Sequence, residues 1–567
     1  MVGLCSLLLC CSLLAIHPVA AAVDDGEDDP EWVSKLWSGS IQHYPNTAEA
    51  EELLDKFMIE CPGQMRKEEI GESLEHRKIF AYVLTKKDTP AGVVKPRLMV
   101  TSLMHSREPG GLAVSLYAIG RLCEDYKKGT DPRTVYLLDT REIWIVPIVN
   151  PDGYKVVEDP TMRDVRKNRR DTCPMNPVKS GVDLNRNFGY KWSGQYRKCS
   201  EEYAGEGPFS EPETQALKRM VEERDFKIAL NFHSYGTMLT YPFNHANTDK
   251  STLPTDDEAV FKELAEVFGF DRYGPAHKLL GYTASGESDD WFYGAMGIIS
   301  MSPEIGSESG GFYSPVEEIP GIVHRNYRRI RHALHKTGLE LRRVTCSPGS
   351  SAGMMKMTLK NGGVGAGFGS HAAVAVGGCG PSPVTGKIAQ IARRSDTDFE
   401  VQCPAENMAP GESHKICIVE EIPASVTPAI CRCAVTSMGG ETSKRAEWAT
   451  PLEDDTCRAA VRSLTDPNTE ILVSSGVAVE DGTTSGLPAL PSVTVASHRF
   501  GLSPEWQRSW LLLFSEGAMQ QWVIVAGVVV GVACLWLFIY TLWCAGAQKL
   551  LLQQTNANAA NQVEPHS

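Results

Sequence analysis

The chain has 567 residues, of which 42% are hydrophobic and 22% charged. That balance is ordinary for a globular protein and excludes a wholly disordered, collagen-like or multi-span membrane chain. The formal net charge at pH 7 is -14, the wrong sign for a nucleic-acid binder. The first apolar run, Leu4 to Ile16, precedes Ala20-Ala21-Ala22 and an acidic patch from Asp24 to Asp29. It reads as a secretory signal peptide over 1–22. From 30 to 345, strand-like and helix-like segments alternate. Arg97 to Leu103 is an apolar run ending in a loop, and Leu112 to Leu122 follows with helical periodicity. Ile143 to Val149 is a second strand, closed by Asn150-Pro151-Asp152-Gly153, a turn by composition. Glu211 to Arg224 reads as an amphipathic helix capped by Ser210, with Glu213 in the matching position. Phe226 to Phe232 is a strand, Asp256 to Phe268 a helix, Gly297 to Ser302 a strand and Ile322 to Leu341 a closing helix. This order predicts an α/β domain with a mixed, mostly parallel twisted sheet and helices on both faces.

Residues 346–461 change in texture. Six cysteines between Cys379 and Cys457 predict a small disulfide-rich, β-rich module, with Cys431-x-Cys433 read as part of the disulfides and not as a metal site. Residues 462–505 are rich in Ser, Thr, Pro, Val and Gly, and 462–521 reads as a stalk. Trp522 to Cys544 carries no charge and at about 1.5 Å per residue is long enough to cross a bilayer core of about 30 Å. Residues 545–567 are then a cytoplasmic tail, and the expected topology is a single-pass type I membrane protein with its large domain extracellular or lumenal. Removing the cysteines of the signal and the span leaves 11 in an oxidising compartment. The odd number means at least one of them lies outside the intrachain disulfides.

The chemistry-bearing residues cluster at strand ends. His105 and Glu108 follow one strand directly, and His233 ends another. Ligand sites in open α/β sheets gather at carboxyl ends of strands, and two His with one Glu can hold zinc with a fourth position open. A bare His-x-x-Glu also fits two surface residues at a helix start. Glu304, just beyond another apolar run, is a carboxylate placed for general base and acid work, or an ordinary loop acid.

The wider pattern resembles the zinc carboxypeptidases of the pancreatic A/B type. It comprises His105-x-x-Glu108, Asn150 to Tyr154, Arg166-Lys167-Asn168-Arg169, Val182 to Phe188, Asn231 to Tyr235, Tyr282 to Trp291 and Pro303-Glu304, in order. The resemblance implies one zinc ion held by His105, Glu108 and His233. It makes Glu304 the base and then the acid, and Arg169 the group that steadies the oxyanion. Asn185 and Arg186 are to grip the substrate's terminal carboxylate, with Tyr282 closing over it. Arg107 and Tyr235 match positions lining the cleft beyond the scissile bond. Cys173 and Cys199 match a family disulfide. Asp289 matches the floor of the side-chain pocket, where an acid goes with C-terminal Lys or Arg and an apolar residue with aromatic or aliphatic ends.

The expected function is therefore release of C-terminal residues from peptides or proteins, with a preference for Lys or Arg. The alternatives are an apolar preference, another carboxylate-bearing amide substrate, or a receptor that keeps the fold without catalysis. Residues 23 to 45 leave no room for the activation segment the resemblance implies, so the enzyme is expected to be made active.

Overall fold

The structure is a computed structural model. It describes residues 29–472 except 88–93, 130, 195, 248–254, 339–340, 362, 365–371, 389–395, 410–412, 421–430, 438–446, 450–453 and 466–470. The expected signal peptide, the span at 522–544 and the tail at 545–567 lie outside the described residues, as does most of the stalk. Among the described residues no helix is long and apolar enough to cross a membrane.

Strands β1 (Met65–Glu72), β2 (Lys78–Leu84), β3 (Arg97–Thr101), β4 (Glu142–Val146), β5 (Phe226–Asn231), β6 (Met238–Thr240), β7 (Tyr273–Gly274) and β8 (Ile299–Glu304) form one sheet in the order β1-β2-β4-β3-β5-β8-β6-β7. The central four, β4, β3, β5 and β8, run parallel. Antiparallel pairing adds β2 and β1 at one edge and turns β6 back against β8 at the other. Side chains alternate across a strand, so β3 and β5 feed two cores. Leu98, Val100, Ile228 and Leu230 pack with helices Thr47–Glu60, Gly110–Lys128 and Ile319–Lys336. Met99 and Ala229 pack on the other face with helices Pro212–Glu222 and Ser288–Gly294. A sheet buried on both faces needs near-continuous apolar strands, which is why these runs stand out in the sequence.

Three local expectations are corrected. Asn150-Pro151-Asp152-Gly153 does not make a free turn; it opens helix Pro151–Val156, with the Asn150 side chain accepting from the Gly153 amide at 3.0 Å and proline at the first helical position. Ser210 does not cap the next helix. Glu211 stands at that position, and the Ser210 hydroxyl donates to the Glu211 carboxylate at 2.8 Å. Glu213 accepts from the Leu74 amide instead of closing a capping box. The helix that closes the α/β domain ends at Lys336, and Leu341 already belongs to the next strand. Gly338 packs where any Cβ would stand 2.4 Å from the Arg141 guanidinium.

That strand, β9 (Leu341–Pro348), begins the disulfide-rich β module. With β10 (Met354–Asn361) and β13 (Asp396–Gln402) it makes a three-stranded sheet. A second, six-stranded sheet holds β11 (Ala372–Gly377), β12 (Val384–Ile388), β14 (Ser413–Glu420), β15 (Cys431–Ser437), β16 (Glu447–Ala449) and β17 (Ile471–Leu472). Disulfides join Cys379 to Cys403 and Cys417 to Cys433. Cys346 is buried and free, which fits the odd cysteine count.

Candidate active site

Because β3, β5 and β8 are parallel neighbours, their carboxyl ends reach the same edge. His105 and Glu108 stand in the loop after β3, His233 stands two residues past β5 and Glu304 ends β8. The register is tied at this edge. The His233 amide donates to the Pro303 carbonyl at 3.0 Å, and the Ile305 amide donates to the His233 carbonyl at 2.9 Å. Helix Gly110–Lys128 starts hard against the sheet, where a Cβ on Gly111 would stand 2.8 Å from Ser102 and 3.0 Å from Phe232. Glycine there lets the loop bearing Glu108 sit close beside His233.

The donor atoms converge. His105 Nδ1 lies 3.0 Å from Glu108 Oε1 and 3.0 Å from His233 Nδ1, which is itself 3.0 Å from Glu108 Oε2. Ligands at about 2.0–2.1 Å around a tetrahedral zinc stand about 3.3 Å apart. The His105 Nε2 side is taken by Asp183 Oδ1 at 3.1 Å, the outer carboxylate that orients an imidazole and leaves its other nitrogen for metal. This donor set fits zinc. Burial opposes the charge on Glu108, but His105 and His233 outweigh it and hold the carboxyl well below the usual range. Burial likewise opposes Asp183, and Arg166 and then His105 outweigh it.

The cluster opens into a cavity of about 660 Å³, lined among others by Arg107, Arg166, Asn185, Arg186, Tyr235, Tyr282 and Glu304. Burial pushes Glu304 up to about 8. Asn185 Oδ1 accepts from both the amide and the hydroxyl of Ser288, each at 2.9 Å, and Arg186 Nη1 donates to the Asn185 carbonyl at 2.8 Å. Tyr282 is 51% exposed and lines the cavity. Arg107 stacks over Phe312 with its Cζ at 4.2 Å from the ring centroid, and Tyr235 meets the same ring edge-on at 5.0 Å. The Cys173–Cys199 disulfide is present and closes the loop that carries Asn185 and Arg186.

Arg169 is not part of the site. Its guanidinium donates to the Pro177 carbonyl at 3.2 Å and does not line the cavity. Arg166, three residues earlier in the same basic run, lines the cavity instead. The Ser106 amide donates to the Arg166 carbonyl at 3.0 Å, which pins that residue beside the ligand loop. Its guanidinium then forks onto Asp183 Oδ2 through Nε and Nη2, both 3.0 Å, and its Nη1 stands 3.4 Å from Glu108 Oε1. Between the two arginines, Asn168 turns inward to Glu211 at 2.7 Å and takes the Val182 amide at 2.8 Å, so the chain delivers Arg169 elsewhere.

Asp289 is 1% exposed and lies behind the cavity wall. Its Oδ1 accepts from Asn231 at 2.5 Å and Ser300 at 2.6 Å, while Oδ2 has no hydrogen-bond partner. Burial pushes it up to about 6, against the bonds from Ser300 and Asn231 and the dipole of the nearby Ser302 hydroxyl. Sequence reasoning leaves out three residues that matter here: Arg166, Asp183 and Glu287. All three stand inside the quoted motif stretches, so the signal was the motif itself, read one position more fully.

Residues 50–329 match the family model described as zinc carboxypeptidase. Carboxypeptidase A2 of Rattus norvegicus is 30% identical over 262 residues, covering 45% of this chain and 60% of that protein. Carboxypeptidase A1 of Homo sapiens is 31% identical over 286 residues, covering 49% and 66%. The chain thus spans less than two thirds of the length of these relatives. Among solved structures, the carboxypeptidase A of Helicoverpa armigera is 26% identical with a TM-score of 0.45, over 51% of this chain and 73% of that one. With the metal-ligand geometry in place, the match to the zinc carboxypeptidase family model runs across residues 50–329, and that family's cofactor is one zinc ion per catalytic domain.

Proposed function

We propose that the protein is a zinc-dependent carboxypeptidase that releases C-terminal residues, preferring Lys or Arg, and that a single span tethers it with the catalytic domain extracellular or lumenal. One observation carries the reading: His105, Glu108 and His233 converge within 4.8 Å in a cavity that also holds Glu304, Asn185 and Arg186. A metal centre, a proton carrier and a carboxylate anchor in one cavity are what terminal-residue hydrolysis needs.

His105 Nδ1, His233 Nδ1 and the Glu108 carboxylate would hold the ion. Zinc supplies Lewis acidity, polarising a carbonyl and making water acidic at neutral pH. Arg186 and Asn185 engage the substrate's terminal carboxylate, for which a guanidinium has matching geometry. Tyr282 closes over that end and excludes water. Arg166 presents fixed positive charge where the carbonyl oxygen becomes anionic, an interaction strengthened by burial. Glu304 takes a proton from the attacking water as the C–O bond forms and gives it to the amine nitrogen as the C–N bond breaks, so the proton is conserved over the cycle.

The basic preference rests on Asp289. A buried carboxylate oxygen without a partner is costly, and a cationic side chain or a water bridging to it would relieve that cost. Ser302, which lines the cavity, stands beside it. The relatives named carboxypeptidase A lend this preference no support. Purified protein loaded with zinc should release C-terminal Arg faster than Phe, and Glu304→Gln should abolish release while retaining zinc. Turnover in that variant equal to wild type, or faster release of Phe, refutes the respective claim. Protease protection in sealed vesicles tests the topology, which fails if the tail is cleaved from the lumenal side.

A further inference from the structure

Glu287 touches the carboxylate anchor itself. Its Oε1 accepts from Arg186 Nη1 at 3.0 Å and its Oε2 accepts from Asn244 Nδ2 at 2.6 Å. The side chain is 12% exposed, and the residue lines the cavity, as Asp289 does not. The contact is built from both sides. The Phe188 amide donates to the Gly286 carbonyl at 2.9 Å, and the Ser288 amide donates to Asn185 Oδ1 at 2.9 Å. Glu287 is thus held between two bonds that clamp the 286–288 turn to the 185–188 segment. Gly286 sits at φ 75°, and a Cβ there would come within 2.3 Å of the Arg186 carbonyl, so the close approach depends on glycine. Behind Glu287, the Asn244 amide donates to Asp290 Oδ1 at 2.8 Å, and Asn244 Oδ1 accepts from the Ala276 amide at 2.8 Å, which fixes the amide that holds Oε2.

The anchor therefore sets a guanidinium and a carboxyl in direct contact. A substrate ending in Phe brings one anion to a guanidinium already matched by a carboxylate. A substrate ending in Lys or Arg brings an anion and a cation together. Each Glu287 oxygen accepts one hydrogen bond, from Arg186 and from Asn244, and a carboxylate offers about four lone-pair sites, so acceptor capacity remains for the incoming cation. Burial pushes Glu287 up to about 8, while Arg186 works in the opposite direction and an arriving cation would add to its pull, so the charged form is favoured most when a basic side chain is bound.

We infer that Glu287 is a specificity-determining residue: with Arg186 it forms a charge-paired anchor that selects a terminal residue carrying both a carboxylate and a cationic side chain. This rests on the carboxypeptidase reading above, and extends it by making Glu287 the acid that faces the substrate while Asp289 supports the wall behind.

The test uses full-length protein, wild type and Glu287→Gln, an isosteric change. Matched peptides ending in Arg or Phe are assayed with zinc present. Calorimetry follows the binding of free L-arginine and free L-phenylalanine to the metal-free protein. Wild type should favour Arg over Phe at least tenfold in both measurements. Glu287→Gln should cut that ratio at least tenfold, raising KM for the Arg peptide and lowering it for the Phe peptide as Arg186 loses its resident partner. A merely structural role would move both substrates alike. Unchanged ratios in the variant, or equal binding of the two amino acids to wild type, overturn the inference. If wild type turns over no peptide but binds arginine in a Glu287-dependent way, the catalytic reading falls and the inference stands.

Discussion

Replacing Arg166 by Ala separates the two arginines of the basic run. The Arg166 guanidinium is 14% exposed, forks onto Asp183 and points along Glu108 into the cavity. Loss of one preorganised donor at a developing oxyanion costs about 100- to 1000-fold in kcat, or about 2.7–4 kcal/mol. Arg169 makes one bond to the Pro177 carbonyl, and surface substitutions of that kind usually stay within about 0.5 kcal/mol. Arg166→Ala should therefore lower kcat at least 100-fold with a smaller change in KM, and Arg169→Ala should stay within about threefold of wild type. Both are measured at saturating zinc, with metal content checked, because Arg166 also supports Asp183 and removing it leaves that carboxylate buried without its main counter-charge. Arg166→Lys keeps the charge but not the fork and should fall between the two. A loss in Arg169→Ala as large as that in Arg166→Ala would refute the assignment, as would an Arg166→Ala enzyme within tenfold of wild type.

Two further outcomes follow from the same network. Asp183→Asn keeps a hydrogen-bond acceptor for His105 Nε2 but removes the charge that orients it, so zinc affinity should drop about 10- to 100-fold; competition with a chelator measures this, and unchanged affinity would remove Asp183 from the metal support. Glu213, fully buried beside Asn168 and the Leu74 amide, is pushed by burial from 4.5 up to about 7. The folded state then binds its proton more tightly than the unfolded state, so its stabilising contribution is full below pH 4.5 and fades as pH rises toward 7. The difference is on the order of 3 kcal/mol. Glu213→Gln should flatten that part of the denaturation profile, and a parallel profile would show that Glu213 is already charged throughout.

What the sequence discloses, and what it hides, has a physical basis. β3, β5 and β8 are legible because strands buried on both faces must be apolar along their length, and the residues after them carry the chemistry. β1 is not, since Arg66, Lys67, Glu68 and Glu69 in a half-exposed edge strand mask the alternation. The Cys61–Cys123 disulfide, which ties the end of helix Thr47–Glu60 to helix Gly110–Lys128, is invisible to spacing because 11 cysteines leave connectivity open. The metal ligands are legible as a motif. Arg166 and Arg169 are not separable by composition, since both are arginines in one basic run. The discriminating bond, from the Ser106 amide to the Arg166 carbonyl, joins residues that only the fold brings together.

The charges buried around the cavity bear on why a catalytic reading fits better than a fold kept only as a receptor frame. Five acids, Glu108, Asp183, Glu287, Asp289 and Glu304, face two guanidiniums, Arg166 and Arg186. Glu108 and Asp183, matched by histidines and Arg166, stay well below the usual carboxylate range. The other three are raised by burial, Asp289 to about 6 and Glu287 and Glu304 to about 8. A structural ion network balances its own charges, because an uncompensated buried ion destabilises the fold by several kcal/mol. Here the imbalance is confined to one region. Glu304 stands beside the metal ligands, Glu287 lines the cavity where the proposed terminal cation would lie, and Asp289 stands behind that wall. Strongly perturbed carboxyls gathered in a cleft mark sites whose missing charge comes from a bound partner. Two arrivals of positive charge, a metal ion and a basic side chain, would together relieve all three.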